Sequence, residues 1–429
     1  MFDVVVLEDR QAAFGAALGA LRTRAATGAT LVWWLPAGPA PDGHAGLDKP
    51  GAMAALDASG WTLIDITDVP AEDPGIDARP DWIVRAVNGP CPTPITVAAL
   101  GMRKVAGVTD ARIDHPLRAL ASRPSVRAAW GAGGVEVPGH WSPGVLILHR
   151  QFLDGAGFVS AIEKRIEAGW VIVSEIDDDP RHWPQYAKAD YRAFRGVHAV
   201  SVSTEPLARL IRRWNPHVRI FPNAVSYLPS IAPTTPKSGN RIRVFFGALN
   251  REKDWAGIMR GLERVATEMA DEVEFVVVHD HAFFNALPDV SKAFSETLAY
   301  DDYLALLATC DIALLPLNDS PFNRLKSDLK FIECCAAGVV PICSPTVYGA
   351  EARHRDIASF AETPKDWVRA LRALAKDPAE LARRRGLALD YVRSRRMHSD
   401  QAELREGVFR SLLADREVLE ADRKARLGG

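Results

Sequence analysis

The sequence predicts an α/β protein built from two doubly wound halves. Three observations predict it. Strand-like and helix-like segments alternate along most of the 429 residues, and the alternation restarts after a Pro-, Ser- and Thr-rich stretch at Ser226–Asn240. That length exceeds what one ordinary core serves, so two domains are expected. Third, Leu314–Ser344, LLPLNDSPFNRLKSDLKFIECCAAGVVPICS, reads as strand, loop, short helix and strand.

Taken in order, Asp3–Leu7, Thr30–Leu35, Trp61–Ile66 and Trp82–Val87 read as strands. Helical patterns such as Gln11–Arg24 lie between some of them, and this alternation argues for a parallel sheet with helices on its faces. Residues 91–143 are rich in Gly and Pro and yield only short helices such as Pro116–Ser122. Gly144–His149 is a buried strand ending in His149-Arg150, Gly157–Ala168 a helix, and Trp170–Ile176 a strand that runs into Asp177-Asp178-Asp179-Pro180. Val197–Ser203 is a further strand, Thr204-Glu205-Pro206 opens a helix over Leu207–Trp214, and Val218–Phe221 with Pro222-Asn223 closes the half.

In the second half Arg241–Phe246 is a strand, Gly247-Ala248-Leu249-Asn250 a turn and Asp254–Met269 an amphipathic helix. Val273–His279, Asp301–Thr309 and Ile312–Leu317 read as strand, helix and strand. Asn318-Asp319-Ser320-Pro321 is a dense turn signal; Ser327 or Asp328 caps a helix running to Ala337, Gly338 stops it, and Val339–Cys343 is a short strand. Charged helices fill the chain from Pro364 onward. The expected domains are 1–225, a linker at 226–240, 241–390, and a helical tail at 391–429.

Composition narrows the function classes. With 52 Lys and Arg against 54 Asp and Glu, the net charge of −2 gives nucleic acid no electrostatic footprint. The N-terminus lacks a signal-peptide pattern, and no apolar run approaches the roughly 18 residues of a membrane span. Five cysteines at no zinc spacing read as buried thiols in a reducing cytoplasm. No G-x-G-x-x-G, Walker A or G-x-S-x-G follows a strand, which disfavours dehydrogenase, kinase and α/β-hydrolase chemistry. Arg383-Arg384-Arg385 with Arg393, Arg395 and Arg396 is compatible with a basic face at the inner side of a membrane; a solvated face or a contact back to the first domain fits better.

Several constellations could carry chemistry. Lys330 and Glu333 are three apart on one helix and share a face, so a cation near the helix N-terminus and a carboxylate one turn deeper could hold a diphosphate and the hydroxyls of a ribose. The bland alternative is a solvated ion pair. Asp177-Asp178-Asp179 has three readings: a metal-binding D-x-D, a contact in the interdomain cleft, or a capped turn before Pro180. Asp178 is the candidate general base. His149 and Arg150 stand at a strand end on the same edge, where Arg150 could touch donor phosphate or acceptor hydroxyls. His279-Asp280-His281 has no second cluster at ligand spacing, so a place beside a nucleotide base suits it better than a metal.

The order of the motifs resembles the GT-B glycosyltransferases, and family four among them. Val200–Val225, VSVSTEPLARLIRRWNPHVRIFPNAV, resembles the segment that closes the N-terminal domain of that family; Arg241–Asp254, RIRVFFGALNREKD, resembles the opening of its nucleotide-binding domain, and Tyr303–Ser344 its donor-binding core. Gly144–Pro180 is similar to a subset in which a strand ending "QR" precedes one ending "E-I-D-D-D". The resemblance covers roughly residues 144–400 and departs from the family at one point: Glu333 matches the second of two glutamates eight apart, but Leu325 stands where the first would be, among Asn323, Arg324, Lys326 and Ser327.

The resemblance implies a fold of two Rossmann-like domains facing a cleft, with C-terminal helices. It implies a retaining transfer from a nucleotide-sugar donor to a glycan or lipid-linked acceptor, in surface or secreted polysaccharide synthesis, with no cofactor and no metal. In such sites the leaving diphosphate is met by cations and helix N-termini, here Arg251, Lys253, Lys326, Ser327 and Lys330, and Gly247 lets backbone approach the donor. Glu333 takes the ribose; Asp177 and Asp179 face the cleft or acceptor; Asp178, Arg150 and His149 are the candidates for the chemistry. Two alternatives stay open: a nucleotide-sugar epimerase or hydrolase on the same scaffold, and a non-catalytic sugar-nucleotide-binding partner of another transferase.

Overall fold

A computed structural model of the chain describes residues 2–8, 18, 20–22, 25–35, 49–69, 81–88, 93–139, 141–228, 241–248, 251–349, 351 and 354–428. They fall into two compact units, Met1–Val97 with Ala121–Ala128, and Ala98–Leu120 with Ala129–Gly429. The predicted helix Gln11–Arg24 lies largely outside the described residues, as do residues 229–240 of the predicted linker and Leu249-Asn250 of the predicted turn.

The first unit holds a four-stranded sheet of β1 (Phe2–Glu8), β2 (Ala25–Leu35), β3 (Trp61–Val69) and β4 (Asp81–Asn88), in the order β1-β2-β4-β3. β1 and β2 are parallel, but β4 runs antiparallel to both β2 and β3. This corrects the expectation of a parallel sheet beginning at residue 3. Eleven residues separate Val69 from Asp81, fewer than the dozen or more that a parallel crossover needs.

The second unit holds two six-stranded sheets. One consists of β5 (Ile95–Gly101), β6 (Val126–Ala132), β7 (Val145–His149), β8 (Val171–Ile176), β9 (Ala199–Val202) and β10 (Val218–Ile220), in the order β10-β9-β8-β7-β5-β6. The division between the units falls inside β5 and β6. β7 to β10 are parallel, and every residue of β7, β8 and β9 is buried, as strands covered on both faces require. The other sheet is parallel throughout: β11 (Ile242–Gly247), β12 (Val273–Val278), β13 (Lys292–Ser295), β14 (Ile312–Leu315), β15 (Val340–Cys343) and β16 (Ser359–Phe360), in the order β13-β12-β11-β14-β15-β16.

These orders locate the functional edge. The strand sequence reverses direction between β5 and β7 in one sheet and between β11 and β14 in the other, and ligands of doubly wound folds bind beyond the strand ends at such switch points.

Four differences from the sequence expectations concern helices, strands and the tail. The single helix expected over Asp254–Met269 is broken: a turn at Glu252–Trp255 and a 3-10 turn at Ala256–Ile258 around Gly257 precede the helix Met259–Glu268. β5, β6 and β13 lie where no strand was expected. The helix Pro378–Arg395 runs through the expected boundary at 390.

Fourth, the arginines of the tail do not act as one set: they divide among ion pairs, burial and, at Arg395, plain exposure. Arg383 and Arg384 pair with Glu380, Arg393 pairs with Asp390, Arg385 is buried against Asp311, and Arg396 is buried against Asp328. The last helix, Arg416–Leu427, returns to the first parallel sheet's layer, where Arg423 grips both oxygens of Glu163 at 2.9 and 2.8 Å. No helix among the described residues is long and apolar enough to cross a membrane. Cys310, Cys334, Cys335 and Cys343 are buried free thiols, while Cys91 lies outside the described residues.

Candidate active site

The loops beyond both switch points line one cleft of about 540 Å³ within the second unit. Val105–Val108 follow β5, Arg150 follows β7 and Asp177-Asp178 follow β8; Ala248 and Arg251 follow β11, and Lys326–Glu333 follow β14. The sequence thus brings strand ends of both parallel sheets to one cavity.

The helix Leu329–Ala336 enters this cleft by its N-terminus. Asp328 occupies the cap position but makes no cap bond, because both its oxygens are held by Arg396 at 2.6 and 2.7 Å. Amides of the first helical turn have no partner within their own helix, so this end presents N–H groups and the positive pole of the helix dipole. Lys330 projects there, over the Tyr303 ring at 5.3 Å, and burial pulls its ammonium pKa down. One turn deeper Glu333 is 3% exposed; Tyr300 donates to its Oε1 at 2.7 Å, and burial pushes its pKa up. Arg251 reaches Asp254 at 3.0 Å and Asn323 at 3.3 Å, which aims its guanidinium along the cleft wall.

On the opposite wall Arg150 has a positive φ of 55° and donates two bonds, of 2.9 and 2.6 Å, to Asp177 Oδ1. Burial works against the Asp177 charge, but Arg150 outweighs it, and the pKa falls to about 2. Asp178 Oδ1 accepts from Lys326 Nζ at 3.0 Å, an ion pair that spans the two walls. Burial lowers the Lys326 pKa while Asp178 opposes that shift. Asn223, in the turn after β10, donates to Ser327 at 2.7 Å, and Arg112 joins Asn223 to Glu175 on β8.

His149, Glu175 and Asp177 offer ligand atoms within 4.8 Å of one another. The register pairs His149 with Glu175 across β7 and β8. Glu175 Oε1 receives Arg112 and Asp177 Oδ1 receives Arg150, while Glu175 Oε2 lies 3.3 Å from His149 Nε2.

No protein-family model matches the sequence, and no curated protein matches it. Solved structures do match. Sucrose-phosphate synthase (tll1590) from Thermosynechococcus elongatus is similar at a TM-score of 0.52 and 13% identity, over 75% of this chain and 99% of that one. Anabaena Alr3699/HepE in complex with UDP-glucose gives a TM-score of 0.51 at 12% identity, over 73% and 100%. WaaG, a glycosyltransferase involved in lipopolysaccharide biosynthesis, gives 0.51 at 12%, over 72% and 99%. The chain has the GT-B fold. It spans 57% of a longer structure with a TM-score of 0.46, the pneumococcal O-GlcNAc transferase GtfA.

The GT-B cleft gathers most residues singled out from the sequence: Arg150, Asp177, Asp178, Arg251, Lys326, Ser327, Lys330 and Glu333 all line it. Four do not. Lys253 is exposed, and its backbone carbonyl accepts from Asn318. Asp179 caps the turn at Pro180, accepting from the Arg181 amide at 3.0 Å and pairing with its side chain, so for this acid the capped-turn reading is what the structure shows. His149 is 2% exposed and lines a neighbouring apolar cavity with Phe152, Trp183 and Tyr186. Gly247 is not among the residues lining the cleft, and a Cβ there would lie 2.6 Å from the Phe245 ring and 3.1 Å from Tyr303, so the absent side chain leaves room for these rings.

Other cleft residues escaped sequence reasoning. The Val105–Val108 loop is shaped by Thr109 accepting from Val105 N and Asp110 accepting from Gly107 N, with Gly107 at φ 77°. Tyr300 and Tyr303 carry no sequence signal, since their roles depend on Glu333 and Lys330 in three dimensions. His279, expected beside a base, does line the cleft, at φ 73° with Nδ1 3.1 Å from Thr297, whereas Asp280 caps a helix and His281 pairs with exposed Glu296. Leu325, at the place of the absent glutamate, packs against the core of the first parallel sheet, and its carbonyl accepts from Thr204 at 2.9 Å.

Proposed function

We propose that this chain is a glycosyltransferase that moves a sugar from a nucleotide-sugar donor to a hydroxyl of a glycan or lipid-linked acceptor. The observation that carries this reading is the N-terminus of Leu329–Ala336 opening into the cleft with Lys330 at its mouth and the buried Glu333 behind. Two negative phosphates suit the first two, and two ribose hydroxyls suit the carboxylate. HepE, which has the same fold, was solved with UDP-glucose, which makes uridine diphosphate sugars the first donors to try.

The chemistry follows from charge. As the bond from the anomeric carbon to the diphosphate breaks, negative charge grows on the leaving oxygen; Lys330, Arg251 and the helix amides stabilise it where it develops. The acceptor oxygen forms the new bond and gives up its proton. The reading assigns that proton to the leaving phosphate, consistent with retention, and keeps Asp178 paired with Lys326. No step calls for a metal, a cytoplasmic setting is assumed, and a role in surface or secreted polysaccharide synthesis accompanies the reading.

A thermal-shift panel of UDP-, GDP-, ADP- and dTDP-sugars tests it, followed by assay of the stabilising donor for release of nucleotide with and without acceptors. A dose-dependent rise in melting temperature with one nucleotide class, plus sugar transfer, supports the proposal. No stabilisation by any of the four refutes it, and binding without transfer or hydrolysis favours a non-catalytic partner.

A further inference from the structure

We propose that the part of the cleft formed by Arg150, Asp177, Asp178 and Lys326 is a subsite for an uncharged sugar, and that Asp178 selects it. The proposal rests on the nucleotide-sugar reading above and adds the substrate class. Four charged side chains stand here as two ion pairs, Arg150 with Asp177 at 2.6 Å and Lys326 with Asp178 at 3.0 Å. The set carries no net charge, unlike the Lys330 end, and so has nothing to attract an anionic sugar.

Each pair is made through a single carboxylate oxygen. Both bonds from Arg150 end on Asp177 Oδ1, and Lys326 ends on Asp178 Oδ1. Among the described residues neither Oδ2 has a hydrogen-bond partner, yet both acids line the cleft. Two ionised acceptors without donors suit the hydroxyls of a neutral ring, which can donate to both. A sugar carboxylate would meet the same two oxygens with like charge.

The backbone keeps this arrangement in place. Leu325 packs on the first parallel sheet's core while Thr204 holds its carbonyl, so the next residue, Lys326, is directed at Asp178 across the cleft. The selecting acid therefore comes from the wall opposite the nucleotide helix.

Calorimetry on the full chain tests this with free UDP, GDP, ADP and dTDP, their hexose derivatives, and the uronates made by oxidising the hexose C6 alcohol. For the nucleotide that binds, the wild type holds the uronate about tenfold or more weaker than the hexose. Asp178→Asn weakens the hexose about tenfold, leaves the free nucleotide within about twofold, and abolishes discrimination against the uronate. Lys326→Gln shifts the balance oppositely and sharpens rejection of the uronate, which supplies an answer should the aspartate variant fold poorly. Equal losses for nucleotide and hexose, or unchanged discrimination in the two variants, overturn the subsite alone. Failure of every free nucleotide to bind the wild type overturns the proposed function, and the subsite with it.

Discussion

Tyr300 donates a 2.7 Å hydrogen bond to Glu333 Oε1, and both side chains are buried. The bond fixes the carboxylate that the proposed reading gives to the ribose and leaves Oε2 for a ligand. Tyr300→Phe removes the donor and strands a buried acceptor, at a cost of about 1–3 kcal/mol in stability. The folded Glu333 already holds its proton more tightly than an unfolded glutamate, because of burial, and the variant holds it more tightly still. The deficit is therefore small in acid and grows as pH rises above the ordinary glutamate range. Urea unfolding of both proteins from pH 4 to 8 measures it; a pH-independent difference contradicts the role given to Tyr300.

Asp177 supplies stability of the opposite sign. Its folded pKa of about 2 lies below the ordinary aspartate value, so between the two the unfolded chain binds the extra proton. The contribution, on the order of 2 kcal/mol, is complete above pH 4 and is lost as pH falls toward 2. Asp177→Asn lacks this component. Its unfolding free energy changes less steeply over pH 4 to 2 than that of the wild type, and parallel slopes argue against the Arg150 pairing.

At Gly247 a methyl group has no room, because the rings of Phe245 and Tyr303 occupy its space. Gly247→Ala costs about 1–3 kcal/mol through overpacking and moves Tyr303 away from Lys330. Differential scanning calorimetry reads the loss. An unchanged melting temperature would show that the rings yield freely.

Chelator leaves donor turnover unchanged, because Glu175 and Asp177 spend their charge on Arg112 and Arg150. Loss of turnover with EDTA, restored by a divalent cation, would assign the His149–Glu175–Asp177 group to a metal instead.

Much of this was legible in the sequence. The second parallel sheet shows in the sequence because β11, β12, β14 and β15 are short apolar runs bounded by turn residues, and the helix carrying Lys330 and Glu333 is bracketed there by Ser327 or Asp328 and by Gly338. What the sequence concealed depends on tertiary partners. β5 and β6 sit in a Gly-rich stretch with weak alternation, and β13 is four residues long, too short for a period to register. Asp177, Asp178 and Asp179 are identical letters in a row, yet they take Arg150, Lys326 and Arg181 respectively, since the chain turns through Pro180 and aims each side chain differently. Charge alone makes Lys253 a candidate in the sequence, but the turn at Glu252–Trp255 points it to solvent, whereas Arg251 faces the cleft.

The most direct test is the affinity of the preferred nucleoside diphosphate for the wild type, Lys330→Ala and Glu333→Ala, measured by calorimetry at constant ionic strength. The account predicts that each substitution weakens binding at least about tenfold while the melting temperature without ligand stays high enough for a folded protein. Wild-type affinity in both variants would place the nucleotide elsewhere and contradict it.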